Sequence, residues 1–177
     1  MIKYLADELP LIFGRTVTPL PSIPVPPQSY DSQRQQCLSS EILKTILESA
    51  STDDNKILGI TEVDLFIPIF TYIFGEAQLD GRAGLISLAR LKPQLYDEPP
   101  DDAPSPCVQE LGELYKLRAL KEAVHELGHT FGLKHCPEPN CVMRFANNIG
   151  EVDSKEYTFC PSCRDLIIAT KARRHQE

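Results

Sequence analysis

The sequence is short of positive charge: 18 Lys and Arg face 25 Asp and Glu, a formal net charge of −7 at pH 7. Proteins that live on phosphate backbones or anionic membranes need surplus cations to release counterions, so neither nucleic acid nor membrane is expected as a partner. A long hydrophobic run is also missing. The greasiest stretch, Leu65 to Phe74, contains Pro68 and Thr71 and is about half the length a bilayer requires. The N-terminal MIKYLADELPLIFG has no basic n-region, and Asp7 and Glu8 interrupt its apolar residues, so it does not read as a signal peptide. Internal repeats and low-complexity tracts are absent too. What remains is a soluble chain, read as cytoplasmic, whose 177 residues suffice for one domain with its own core. Its oligomeric state is silent at this level.

Histidine is scarce, yet three of the four His and four of the six Cys fall between His125 and Cys163. In a reducing compartment such clustered thiols are expected to be metal ligands or catalytic groups rather than disulfides.

Two proline-rich stretches punctuate the chain. Thr18 to Gln28, TPLPSIPVPPQ, excludes helix and central strand and reads as an extended loop. Its Pro-x-x-Pro spacing would also suit a polyproline ligand, though no basic residue lies inside it. Pro93 to Cys107 adds four acidic residues and reads as a solvated loop. Between them, Glu41 to Ala50 carries Ile42, Leu43, Ile46 and Leu47 at helical spacing, with Ser39 and Ser40 as candidate caps. Lys56 to Phe66 is β-branched and apolar enough for one buried strand, and Asp80-Gly81 between apolar runs predicts a hairpin within Ile67 to Leu91. From Cys107 the apolar positions Leu111, Leu114, Leu117, Leu120, Val124, Leu127 and Phe131 step by three and four, as a long amphipathic helix requires. Helix, three strands, then helix predicts an α/β fold on a mixed sheet.

The long helix ends in HELGHTFGLKH, His125 to His135. On a helix His129 sits about 40° round from His125 and one turn along, so both imidazoles can grip one ion. Glu126 lies about 100° from His125, beside that face, where a carboxylate addresses a water rather than the metal. Gly132 can take the left-handed conformation that ends a helix and returns His135 toward the other two. Three nitrogens leave one tetrahedral position open, the mark of a catalytic zinc site. HExxH by itself recurs by chance in unrelated helices; the added Gly132 and His135 make the pattern specific. Gly128 is either a close-packing point or a tolerated weak spot.

Cys136 and Cys141, with Cys160 and Cys163 in CPSC, form a two-plus-two thiolate set. Four protein ligands close a site to water, so this second zinc is expected to be structural. An iron–sulfur cluster and disulfides are the competing readings. Cys37 and Cys107 read as small apolar residues. His135 and Cys136 are neighbours, and in extended chain their side chains point to opposite sides, so one short strut would serve two ions.

These residues resemble the metzincin metallopeptidases, whose HExxHxxGxxH signature precedes a methionine turn; Met143 in CVMRF stands where that turn would be. The cysteine pattern that follows, with LGITEVDLFIP and FGEAQLDGRAGLISLARL upstream, narrows the resemblance to the archaemetzincins over roughly Ile57 to Cys163. The resemblance implies a compact metalloprotease domain, with a mixed sheet and long active-site helix in 1–132 and a smaller zinc-stabilised subdomain bearing the methionine turn in 133–177. It implies two zinc ions per chain: one catalytic, on His125, His129 and His135 with Glu126 as general base, and one structural, on Cys136, Cys141, Cys160 and Cys163. Tyr157 is the only candidate for the tyrosine with which some metzincins steady the transition state. No long propeptide is expected ahead of the domain, which would suit work inside the cell.

The expected activity is hydrolysis of peptide or protein substrates by metal-assisted attack of water, with the substrate antiparallel along an edge strand of the hairpin. The alternative is a catalytically weak or inactive zinc-stabilised interaction protein with a vestigial site. A zinc-finger nucleic-acid binder using the tail KARRH, Lys171 to His175, is the remaining option, and the near balance of charge from His125 onward weighs against it.

Overall fold

A computed structural model describes residues 1–50, 55–93 and 108–173. The acidic proline-rich loop beyond Pro93, Cys107 and the side chains of the KARRH tail lie outside the described residues. Among those described, no helix is long and apolar enough to cross a membrane.

The chain opens with α1 (Ile2–Phe13), a helix the sequence pattern conceals because Pro10 sits inside it. Leu5, Leu9 and Phe13, four residues apart, are buried along one stripe, and Gly14 ends the helix in the left-handed region at φ 58°. The first proline-rich stretch forms neither α-helix nor strand, as expected, and is exposed except at Pro26, closing in a single 3₁₀ turn, Pro27–Ser29. Then come β1 (Tyr30–Asp31) and β2 (Gln36–Leu38), which pair antiparallel. Helix α2 (Ser39–Ser49) follows without a break. Ser39 is the first helical residue and makes no cap bond. Its hydroxyl instead bonds to the Phe66 carbonyl and to the Glu76 carboxylate.

Lys56 to Phe66, expected as one strand, folds as two: β3 (Ile57–Thr61) and β4 (Leu65–Phe66), which join different sheets. Asp64 between them accepts both prongs of the Arg90 guanidinium at 2.7 Å and a bond from Gln36 Nε2, so a charged turn sits where a continuous strand would need an apolar one. The expected hairpin is β5 (Gly75–Ala77) and β6 (Ala83–Ser87), antiparallel, with Asp80 at φ 54° in its loop. Two small mixed sheets result, in the orders β1-β2-β4 and β3-β6-β5, each with one parallel and one antiparallel pair.

Strand β6 is buried throughout, and its alternation divides the core. Ala83 and Leu85 pack with Ile42, Leu43 and Ile46 of α2, while Ile86 packs with α1 and with α3 (Val108–Thr130). Helices thus cover both faces of the β3-β6-β5 sheet, the layering expected of α/β proteins. Cys37 is buried in the α2 core, behaving as the small apolar residue it was expected to be. After α3, the chain forms α4 (Ile149–Ser154) and α5 (Pro161–Arg173).

Candidate metal centres

Helix α3 ends as the sequence requires. The Leu133 N–H donates to the Gly128 carbonyl at 3.1 Å and the Gly132 N–H to that of His129 at 2.9 Å, with Gly132 at φ 88°. This bond pair is a Schellman motif, and the glycine supplies the left-handed residue it needs. The hairpin tip and β3 flank complete the helix end: the Asp80 N–H donates to the His129 carbonyl at 2.9 Å, and Lys56 Nζ donates to that of Thr130 at 2.6 Å and to that of Gly81.

The turn brings His135 back to His125 and His129. Ring centroids are 4.7, 5.3 and 5.0 Å apart for the pairs 125–129, 125–135 and 129–135, and one ring nitrogen from each lies within 4.8 Å of the others. The Val142 carbonyl accepts from His125 Nδ1 at 2.8 Å and the Leu133 carbonyl from His129 Nδ1 at 2.7 Å. A carbonyl can only accept, so both Nδ1 atoms carry the proton and both Nε2 atoms present lone pairs. Those two Nε2 atoms face each other at 3.1 Å. Two lone pairs so placed repel unless a cation lies between them; one tetrahedral zinc bound at about 2.05 Å would set two nitrogens about 3.3 Å apart. The donor set fits the ion. Burial first, then the Lys155 ammonium, holds His125 well below the ordinary imidazole range, and burial lowers His129 and His135 as well. All three are therefore neutral near pH 7, the ligating form.

Glu126 is buried beside this set, at 5% exposure. Burial, reinforced by the Glu122 carboxylate, pushes its pKa well above the usual range. Space for it comes from Gly75 on β5, where a Cβ would stand 2.7 Å from Glu126 Cγ and Oε1. Strand β5, an edge of its sheet, therefore runs directly over the carboxylate.

The four thiols of Cys136, Cys141, Cys160 and Cys163 also lie within 4.8 Å of one another. They are free, and Cys136 Sγ stands 3.8 Å from Cys160 Sγ, so they do not form disulfides. A tetrahedral zinc bound at about 2.3 Å separates its sulfurs by about 3.8 Å. An iron–sulfur cluster would spread them further, because several irons and sulfides intervene. His135 and Cys136 do fall into separate clusters. Met143 is fully buried against α3, and a Cβ at Gly128 would collide with its sulfur, which makes Gly128 a close-packing point. The Met143 carbonyl also accepts from the Cys136 N–H at 2.9 Å. Tyr157 is exposed and lies within electrostatic reach of Tyr4 on α1.

One polar group beside the histidines has no clear sequence signal. Lys155, 1% exposed, pairs with Glu122, 5% exposed, at 3.0 Å. Next to it, Arg118 makes a bidentate pair with Asp153 at 2.8 and 2.6 Å, and Lys121 donates to the Val152 and Asp153 carbonyls. Arg118, Lys121, Glu122 and His125 recur at helical spacing on α3, so the face that carries His125 also carries a polar clamp onto the α4 segment. The three- and four-residue spacing from His125 was the available hint for the helix side; nothing in VDSKE singles out Lys155.

Comparison with known proteins agrees with this geometry. The profile of Peptidase family M54 matches residues 11–168. The archaemetzincin of Methanocaldococcus jannaschii is 40% identical over 163 residues, spanning 92% of this chain and 83% of the relative. That of Archaeoglobus fulgidus is 38% identical over 166 residues, 94% of this chain and 90% of its own. Among solved structures, the archaemetzincin of Methanopyrus kandleri superposes with a TM-score of 0.81 at 33% identity, covering 97% of this chain and 86% of that one. The Archaeoglobus fulgidus structure, complexed with malonate, gives 0.74 at 37% identity, covering 93% and 90%.

Proposed function

Because the chain belongs to peptidase family M54 and is on that ground a zinc metallopeptidase, we propose that it hydrolyses peptide bonds at the three-histidine centre with Glu126 as general base, in the metzincin manner. The observation that carries this reading is the pair of facing Nε2 lone pairs at 3.1 Å with a buried carboxylate next to them on the same helix. When bound, zinc supplies Lewis acidity, polarising a carbonyl and lowering the pKa of a water. His125, His129 and His135 hold the ion, the first two fixed in tautomer and direction by the Val142 and Leu133 carbonyls.

Glu126 takes the proton of the attacking water and passes it to the leaving nitrogen; a carboxylate made more basic by burial suits the first task and, once protonated, the second. The free edge of β5 offers backbone groups to an extended peptide, and Gly75 places that edge against Glu126. Cys136, Cys141, Cys160 and Cys163 hold a second, structural zinc. We place the subdomain division at 132/133, supported by the Schellman turn there, and the enzyme in the cytoplasm.

Zinc per chain and cleavage of a mixed peptide library test the reading. Wild type should carry two ions and cleave, and His129→Ala one ion without cleavage. Glu126→Gln should keep both ions while turnover falls about 10²- to 10⁴-fold. Unchanged turnover in Glu126→Gln refutes its role as base; two ions with no cleavage in wild type favours the zinc-stabilised interaction protein.

A further inference from the structure

Exposed apolar residues scattered singly are ordinary, but two aromatic rings gathered beside a reactive centre are not. Phe145, 41% exposed, has its ring centroid 4.9 Å from that of His135, the two planes tilted at 46°; His135 is the exposed member of the cluster. Phe70, 38% exposed and drawn from a distant part of the chain, lies 6.2 Å from Phe145, and its neighbour Ile69 is 80% exposed. Both rings stand on fixed backbone. The Phe70 carbonyl accepts from Arg34, whose guanidinium is itself stacked 4.5 Å over Phe66. The next carbonyl, of Thr71, accepts from Gln36 at 3.0 Å, and Tyr72 donates to the Asn147 carbonyl at 3.2 Å, joining the two segments across the gap. On the other side, Met143 points inward beneath α3 with no exposure, while Phe145, two residues on, points out.

We propose that Phe70 and Phe145 form an apolar wall that selects peptides with a large apolar side chain flanking the scissile bond. The proposal rests on the peptidase reading above and names the substrate class it would favour. Its occupant follows from continuity: Phe70 lies just upstream of β5 on the chain that forms the free edge, so a peptide paired with Gly75–Ala77 runs past that ring, and Phe145 touches a zinc ligand. Rings half-exposed on rigid backbone lose little conformational freedom on binding, so burying them against a substrate side chain is favourable. A glycine or a carboxylate in that position would leave the rings wet or be desolvated without a partner.

The test compares zinc-loaded wild type, Phe145→Ala and Phe70→Ala on two peptide libraries that differ only in Leu or Gly flanking the scissile bond, with zinc content measured for each protein. In parallel, leucine hydroxamate and glycine hydroxamate are titrated as zinc-directed ligands that need no turnover. Wild type should prefer Leu in both measurements by about tenfold or more, and the Leu/Gly ratio should shrink toward one in each variant. A ratio unchanged in both variants overturns the wall. If no protein cleaves but the hydroxamate ratio still collapses in the variants, the peptidase reading fails while the wall stands.

Discussion

The two ligand clusters share a strut of adjacent residues, His135 and Cys136, yet they are built in opposite ways. Two of the three histidines project from a helix already fixed by α1, β6 and the hairpin tip, and carbonyls aim their rings. Their frame is supplied by contacts within the protein. The four thiols come from chain that belongs to no sheet; Cys141, Val142, Met143, Phe159 and Cys163 reach the main core, but the backbone is tied by a few bonds such as Val142 N–H to the Thr158 carbonyl, Glu156 N–H to that of Asn140, and Cys160 N–H to the Cys141 sulfur. There the ion would supply much of the frame. A preformed site can exchange its metal without unfolding; a site that assembles around its metal cannot.

The largest expected effect breaks the two apart by chelation. A graded chelator series followed by zinc release and near-ultraviolet circular dichroism should remove the histidine ion first with the signal intact. Release of the cysteine ion should then abolish it, since structural zinc in small sites contributes about 10 kcal/mol or more. Loss of tertiary signal with the first ion would erase the distinction. Cys160→Ser should in turn weaken zinc binding at the histidines through His135, and equal affinity in that variant would show the strut to be slack.

A smaller effect should come from the clamp between α3 and α4. Lys155→Met leaves Glu122 buried without its cation and should destabilise by about 3–5 kcal/mol, read as a fall in the denaturant midpoint. Lys155→Met with Glu122→Leu should recover most of it. If the single variant is as stable as wild type, the clamp does not hold the C-terminal segment to the helix.

The smallest effect sharpens the histidine side alone. Gly132→Ala meets nothing closer than Asp80 at 3.7 Å, so its cost is the strain of φ 88°, about 1–2 kcal/mol. It should lower zinc affinity at the histidines more than at the thiols, measured by competition with a chromogenic chelator.

Local patterns were legible in the sequence, and long-range ones were not. Helices α2 and α3, the Asp80-Gly81 hairpin, the Gly132 turn and both ligand groupings follow from spacing along the chain. Each is set by residues within a few positions of one another. Helix α1 was hidden because Pro10 and the Asp7–Glu8 pair mask a stripe of Leu5, Leu9 and Phe13 that acquires meaning only against Phe131 and Phe159, at 5.4 and 5.6 Å. The division of Lys56–Phe66 depends on Asp64 finding Arg90, and Ser39 left its capping role for Glu76. The Lys155–Glu122 pair forms between residues that carry no shared signature. In each case the deciding partner is distant in sequence.

The hairpin tip has a consequence for how this chain can change. A surface hairpin loop is ordinarily where insertions are absorbed without cost. Here the loop between Ala77 and Ala83 delivers the Asp80 N–H to the His129 carbonyl and the Gly81 carbonyl to Lys56, so its length acts as a gauge. One residue added between Gln78 and Arg82 would lift Asp80 off the helix end, and the shift would be felt at an imidazole on another element. The turn is a surface feature by position and a support of the three-histidine cluster by its contacts.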